Sequence, residues 1–239
     1  MSQFPLTLDE FRDMVNRCAG VRLANEDFTR DPGVSFADLD VDSLGVLGVA
    51  TELELKLDIS LDEAEANQTP QELLRAVALR LVGAGRIKPG HTEASIVIDA
   101  PRAEVWRLTN DVPAWPQLFS EYSAATVLER AGDTVRFRLT TRPDANGDEW
   151  SWVSERTTDQ DTYTVEARRV ETGAFQHMRI HWSYHVVEGG TEMRWVQDFE
   201  MRPDAPVNTE WMTAHICANS LLQQSRIQGL IEEAVALTA

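Results

Sequence analysis

The hydrophobic period of this chain changes once, and that change divides it. Up to about residue 82, apolar residues recur every three to four positions, the repeat of a buried helix face. From Ala94 onward they alternate, the repeat of a strand with one face buried. A length of 239 residues accommodates two small domains. The reading is an all-α small helical bundle over residues 1–82, a linker over 83–92, and an α+β domain over 93–239.

Local signals support the helices. Thr7-Leu8-Asp9-Glu10 is a capping-box pattern, and it opens a helix with Leu8, Phe11, Met14, Val15 and Cys18 on one face, ending near Gly20. A mostly acidic loop broken by Pro32 and Gly33 follows, then a second helix from about Ser43 to Lys56. Thr69-Pro70-Gln71-Glu72 is another capping box with proline at the first helical position. It opens a helix through Leu73, Leu74, Val77 and Leu81, and a further helical turn is expected over Leu61–Ala66. Residues 83–92, GAGRIKPGHT, carry helix breakers and no hydrophobic period. Ten flexible residues of this kind span roughly 17 Å end to end.

The second half begins with a strand over Ser95–Asp99. A helix follows, opened by Pro101 and running through Val105, Trp106 and Leu108, and a short helix near Trp115–Phe119. Strands are expected at 122–130, 133–141, 147–157, 161–171, 175–187 and 191–202, with Gly132 and Gly189-Gly190 at hairpin turns. A long helix closes the chain from about Asn208 to Ala236. An antiparallel sheet curved around such a helix encloses a cavity, a helix-grip arrangement.

Charge excludes whole classes of function. Asp and Glu number 39 against 22 Lys and Arg, a formal net charge of -17. Nucleic-acid phosphates and anionic membrane surfaces both need clustered basic residues. The N-terminus has no basic-then-apolar signal segment, and no apolar run is long enough to span a bilayer. Cys18 and Cys217 fall in different domains and read as free thiols, which fits a reducing cytoplasm.

Two short segments carry chemistry. Asp42-Ser43-Leu44 stands where the acidic loop meets the second helix. Serine there is a good N-cap, and a helix start also favours a phosphodiester through its free N–H groups and dipole. The small acidic helical domain, the long loop after the first helix and the DSL segment together resemble acyl carrier proteins, over about residues 1–82. The resemblance implies that Ser43 carries 4′-phosphopantetheine and that Asp42 is its flanking acid. Glu52 and Glu54 read equally as a partner-docking face or as a solvated one. Gly45 and Gly48 inside this helix each cost roughly 1 kcal/mol relative to alanine. They mark either a soft helix start or close packing against another helix.

The second segment is Asp148–Thr157. Alternation places Trp150, Trp152, Ser154 and Arg156 on one face, and Glu149, Ser151, Val153 and Glu155 on the solvent face. Burying a guanidinium costs several kcal/mol unless it is paired, so the inner face reads as a polar ligand cavity rather than plain core. Met178, Ile180, Trp182 and Tyr184 share another face, and Gln197 stands in an apolar row that obliges it to find a partner. Trp115 and Tyr122 flank the mouth. His177, His181 and His185 are spaced for a helix, but on a strand i and i+4 lie roughly 13 Å apart, too far for one metal ion. They decorate the outer face, and no metal site is expected.

The segments TNDVPAWPQLFSEY, TRPDANG, WSWVSER, RVETGAF, HWSY, GGTEMRWVQDFEM and MTAH resemble single-domain polyketide aromatase/cyclases of the tetracenomycin type, in the START/Bet v1-like superfamily, over about residues 92–232. The resemblance implies a pocket lined by Arg156, Ser154, Tyr122, Trp115, Trp150, Trp152 and Trp182, with His215 on the pocket face of the last helix. Cys217 departs from the polar residue that the family pattern allows. It further implies aldol cyclisation and dehydration of a poly-β-ketone thioester, with Arg156 stabilising the oxyanion, Tyr122 donating a proton and Ser154 positioning a carbonyl or water. The first ring is expected between C9 and C14. The partners implied are a type II ketosynthase/chain-length factor, a malonyl transferase and a phosphopantetheinyl transferase. A helix-grip module that binds or protects a polyketide or lipid without catalysis is the alternative. A tether raises the local concentration of carried chain to the order of mM, delivered to its own pocket or to that of a second copy.

Overall fold

The computed structural model describes residues 3–31, 33–62, 69–144 and 147–237. Helices fill the N-terminal part: α1 (Leu8–Ala19), the short α2 (Asn25–Thr29), α3 (Ser43–Leu57) and α4 (Pro70–Gly83). Both capping boxes form: the Thr7 hydroxyl accepts from the Glu10 N–H, and the Thr69 hydroxyl from the Glu72 N–H. The helical turn expected at Leu61–Ala66 falls largely outside the described residues.

The glycines of α3 are explained by packing. A Cβ on Gly45 would stand 2.7 Å from the Ala19 Cβ, and one on Gly48 would stand 3.1 Å from the Cys18 Cβ. The end of α1 therefore lies against α3 at these two positions, and the propensity cost is the condition for that approach.

Seven strands follow: β1 (His91–Ile98), β2 (Tyr122–Ala131), β3 (Thr134–Thr141), β4 (Ser151–Asp159), β5 (Thr164–Arg169), β6 (Phe175–Val187) and β7 (Gly190–Met201). They form one antiparallel sheet in the order β1-β7-β6-β5-β4-β3-β2. Two short helices, α5 (Arg102–Asn110) and α6 (Trp115–Leu118), join β1 to β2, and α7 (Thr209–Ala236) lies across the sheet. The helix-grip arrangement is present. Beyond the N-terminus of α1, the Gln3 N–H donates to the Glu93 carbonyl at 2.8 Å, so the leading segment covers the edge strand β1.

Two observations differ from the sequence reading. Strand β4 starts at Ser151 rather than 147, and Val153 is 5% exposed rather than solvated, lying opposite Arg138 where that side chain pairs with Glu171. The segment read as a flexible linker is docked. Ile87 is 1% exposed within the helical core, Arg86 donates to the Leu57 carbonyl, and the Gly90 N–H donates to the Thr213 hydroxyl at 2.9 Å. Glycine and proline set the turns, but one apolar side chain is enough to anchor them.

The consequence is a shared core. Ala214, Cys217, Ala218 and Leu222 of α7 belong to the same buried cluster as Phe11, Leu73 and Val77 of the helical unit. The side of α7 turned away from the sheet is thus covered by α4, α2 and α1. No described helix is long and apolar enough to cross a membrane.

Candidate functional site

Arg156 lies at the centre of the inner face. Alternation along β4 brings it inward with Trp152 and Ser154, and it is 2% exposed. Its Cζ sits 5.0 Å from the Trp115 ring centre and 4.9 Å from that of Trp182, so the cation lies against both indoles of that stacked pair. Nη2 donates to the Asn110 Oδ1 at 2.7 Å, whereas Nε and Nη1 are buried without a partner. Burial pushes its pKa down to about 10, opposed by the nearby Tyr184. It remains a cation at neutral pH. Tyr184 is pushed up to about 12, by burial first, and shares a 2.7 Å hydrogen bond with the Thr109 hydroxyl.

The aromatic side chains stack in continuous contact. Trp115 lies 5.9 Å from Trp182 and 6.3 Å from Tyr122, and Trp182 lies 4.8 Å from Trp195 with the rings 13° from parallel. Tyr122 meets the Trp152 ring edge-on at 6.2 Å. A second polar group stands at this end. The Asn219 Nδ2 donates to the Glu121 Oε2 at 3.1 Å, and the Arg169 Cζ lies 3.9 Å from the Trp152 ring centre. Burial, then the Glu121 carboxyl, raises the Tyr122 hydroxyl well above its usual range, so it is a proton donor and not a phenolate. Burial lowers Arg169 to about 10 and raises Glu121. The site therefore has two polar poles, Arg156 with Asn110 and Tyr122 with Glu121, joined by indoles.

Several expected members are placed elsewhere. Trp150 precedes β4 and is 59% exposed, so it does not line the interior. His215 stacks on Trp211 at 5.3 Å, and the Arg75 guanidinium of α4 lies 4.9 Å from that Trp211 ring. It belongs to the flank of α7 that meets the helical unit, and burial, then Arg75, lowers it to about 4. Gln197 finds its partner in the Ser220 hydroxyl at 3.4 Å, on α7. Cys217 packs into the shared core, and burial pushes its thiol up to about 12. Ser154 is 7% exposed between Phe137 and Arg169 in the sheet register.

The indoles around Arg156 are tightly packed, while Tyr122 and Trp152 are half-buried. Trp115, Trp182 and Trp195 are 6%, 8% and 5% exposed, so little water-sized space adjoins them. A cavity of about 340 Å³ lies instead on another side of α7, between β1 and residues 4–10, with Thr92, Cys217 and Gln224 in its wall. Sequence reasoning missed Asn110, Tyr184, Glu121 and Arg169. All four stand in segments that carry the family resemblance, but nothing local marks them.

At the head of α3, Asp42 and not Ser43 is the N-cap, its carboxylate accepting from the Gly45 N–H at 2.8 Å. Ser43 is exposed in the first helical turn and makes no side-chain hydrogen bond among the described residues. A free hydroxyl beside uncapped helix N–H groups fits a phosphodiester-linked group. The three outer histidines lie along β6, with the His181 Nδ1 2.6 Å from the Glu166 Oε1, and no metal-binding group of side chains occurs among the described residues.

Fold and site together define a helix-grip protein with a helical carrier-like unit on its long helix. Residues 98–214 match the family described as polyketide cyclase / dehydrase and lipid transport, and residues 9–77 match the phosphopantetheine attachment site family. A Streptomyces cyaneus protein named as a polyketide cyclase is 53% identical over 149 residues, 62% of this chain and 98% of that protein. A Streptomyces halstedii protein named as an acyl carrier protein is 36% identical over 73 residues, 30% of this chain and 79% of that one. The crystal structure of the Zhui aromatase/cyclase from Streptomyces sp. R1128 superposes with a TM-score of 0.55 at 23% identity, covering 61% of this chain and 94% of that one, a likeness of fold. The chain belongs to the polyketide cyclase family and carries a phosphopantetheine attachment domain ahead of its cyclase domain.

Proposed function

We propose that this chain directs the regiospecific aldol cyclisation and dehydration of a linear poly-β-ketone thioester in a type II system, closing the first ring between C9 and C14. Residues 1–82 are the carrier, with 4′-phosphopantetheine on Ser43, and residues 93–239 are the cyclase. The observation that carries this reading is Arg156. A buried cation with two unpartnered nitrogens beside stacked indoles is costly as structure, since each unmet donor costs about 1–3 kcal/mol. It is useful where a carbonyl oxygen gains charge.

Phosphopantetheine, when bound, supplies a thiol that holds an acyl chain as a thioester. The protein's own residues do the rest. Methylenes between two carbonyls enolise readily, so the main task is to hold one carbon beside one carbonyl. As the new C–C bond forms, the carbonyl oxygen takes up charge and Arg156 donates to it. Tyr122 then gives that oxygen a proton and regains one, through water, from the enol hydroxyl as that carbon becomes a ketone, and Ser154 positions a neighbouring carbonyl or water. Loss of water with a ring proton aromatises the product. Trp115, Trp152 and Trp182 shape the chain and exclude solvent, and they must part to admit it. The partners of this reading are a ketosynthase/chain-length factor, a malonyl transferase and a phosphopantetheinyl transferase.

The test is product identity. The chain, combined with a minimal type II synthase, is expected to give a single ring pattern by NMR where the synthase alone gives a mixture. A mixture unchanged by the chain would leave a binding module. With coenzyme A and a phosphopantetheinyl transferase, mass spectrometry is expected to show one added group, and none on Ser43→Ala. A second labelled site would overturn the Ser43 assignment.

A further inference from the structure

Many arginines of this acidic chain pair with carboxylates. Arg17, Arg136, Arg138 and Arg194 each lie 3.0 Å or less from a glutamate oxygen. Arg30, Arg142 and Arg226 belong to those with no ion pair among the described residues, and they stand together.

Two of them are fixed on one short turn. The Arg226 Nε donates to the Leu118 carbonyl and Nη2 to the Gln117 carbonyl, both at 3.2 Å. The Arg142 Nε donates to the Ser120 carbonyl at 2.9 Å, and its backbone N–H donates to the Glu121 carbonyl at 2.8 Å. This turn leads directly into Tyr122. Arg30 closes α2 on the helical unit. Burial first, then the charges of Arg142 and Arg30, lower the pKa of Arg226, as expected of guanidiniums gathered without a counter-charge. Of the nearby carboxylates, Glu121 accepts from Asn219, and the Glu26 Oε1 lies against Gly229 of α7 without an ion pair to these arginines among the described residues. Arg142 keeps both terminal nitrogens free, and Arg226 keeps one, in the forked geometry that suits phosphate oxygens.

We infer that Arg142 and Arg226, joined by Arg30, seat the phosphodiester of a pantetheine arm whose acyl end enters beside Tyr122. This rests on the cyclase reading above for the identity of the arm. The site lies at the seam between carrier and cyclase units, so it selects a substrate presented on a phosphate-bearing tether over the same chain on a neutral one.

The test is calorimetric and uses the full chain carrying Ser43→Ala, which removes its own arm. The probes are 4′-phosphopantetheine, pantetheine and inorganic phosphate. Phosphopantetheine is expected to bind about tenfold more tightly than pantetheine, a preference that shrinks as salt rises. Arg142→Gln and Arg226→Gln should remove that preference, and the two lysine variants should keep most of it. Glutamine retains a donor for the turn carbonyls and lysine retains the charge, so a purely structural role would follow the opposite order. Equal affinity for the two pantetheines, a preference that survives both glutamine variants, or inorganic phosphate binding as tightly as the arm would overturn the site. A phosphate preference in a chain that does not alter cyclisation supports the site and defeats the cyclase reading. Arg156-dependent cyclisation with equal binding of the two pantetheines defeats the site alone.

Discussion

Arg156→Met is expected to abolish the single cyclised product while leaving the melting temperature equal or higher. The rate loss should be on the order of 10²–10³-fold, the usual effect of removing an oxyanion donor. The stability side follows from the same burial. The folded-state pKa of about 10 lies below that of an ordinary guanidinium, so the unfolded chain binds the proton more tightly. The buried cation therefore costs stability at every pH below about 10, and that cost fades as the pH rises above 10 towards the ordinary guanidinium range. Replacing such a group by an apolar one of similar length is often neutral or stabilising. A residue kept for packing would behave in the opposite way, losing stability and leaving the ring pattern unchanged. Product NMR and a thermal melt on one preparation separate the two outcomes. Arg156→Ala checks the assignment without a new side chain, although it leaves a cavity beside Trp115 and Trp182. Full product with unaltered regiochemistry in both variants would remove Arg156 from the mechanism.

The second large effect is expected from Leu73→Ala, a substitution in the carrier unit that should be felt in the cyclase unit. Leu73 is fully buried in the cluster that also holds Ala214, Cys217, Ala218 and Leu222 of α7. Truncating a buried leucine typically costs about 2–5 kcal/mol. All seven tryptophans lie beyond residue 100, and Trp211 lies against Arg75 of the helical unit, so tryptophan fluorescence reports chiefly the cyclase unit. In a shared core, the fluorescence-detected midpoint in denaturant falls together with the helical circular-dichroism signal, in one transition. If the fluorescence midpoint stays fixed while the helical signal shifts, the carrier is a freely tethered domain. The cooperative outcome means that the carrier moves to a partner only by giving up buried contacts with α7, or receives the partner where it stands.

Much of this was legible in the chain. Thr7 with Glu10, and Thr69 with Glu72, announce helix starts because a cap is satisfied within four residues. The strand period announces the sheet, and the face carrying Trp152, Ser154 and Arg156 follows from alternation alone. Trp150 obeyed the same alternation but stands before the first ladder position, which no period reveals. His215 was assigned to the pocket face of the last helix. That helix buries one side against the sheet and another against the carrier, so a polar residue between the two cannot be assigned from its own repeat. The linker was judged by its glycines and proline, and Ile87 outweighed them.

What the sequence determined by itself is therefore local and periodic: element types, their order, the inward direction of Arg156 and the exposed serine at the head of α3. These depend on hydrogen bonds and repeats that close within a few residues. Only the tertiary structure decided which groups meet. Asn110 reaches Arg156 across 46 positions, and Tyr184 reaches Thr109 across 75. The packing of the carrier on α7, the aromatic stack and the gathering of Arg30, Arg142 and Arg226 are likewise long-range. Such contacts are set by how the sheet curves and which helix face is covered, and no short stretch of the chain encodes either.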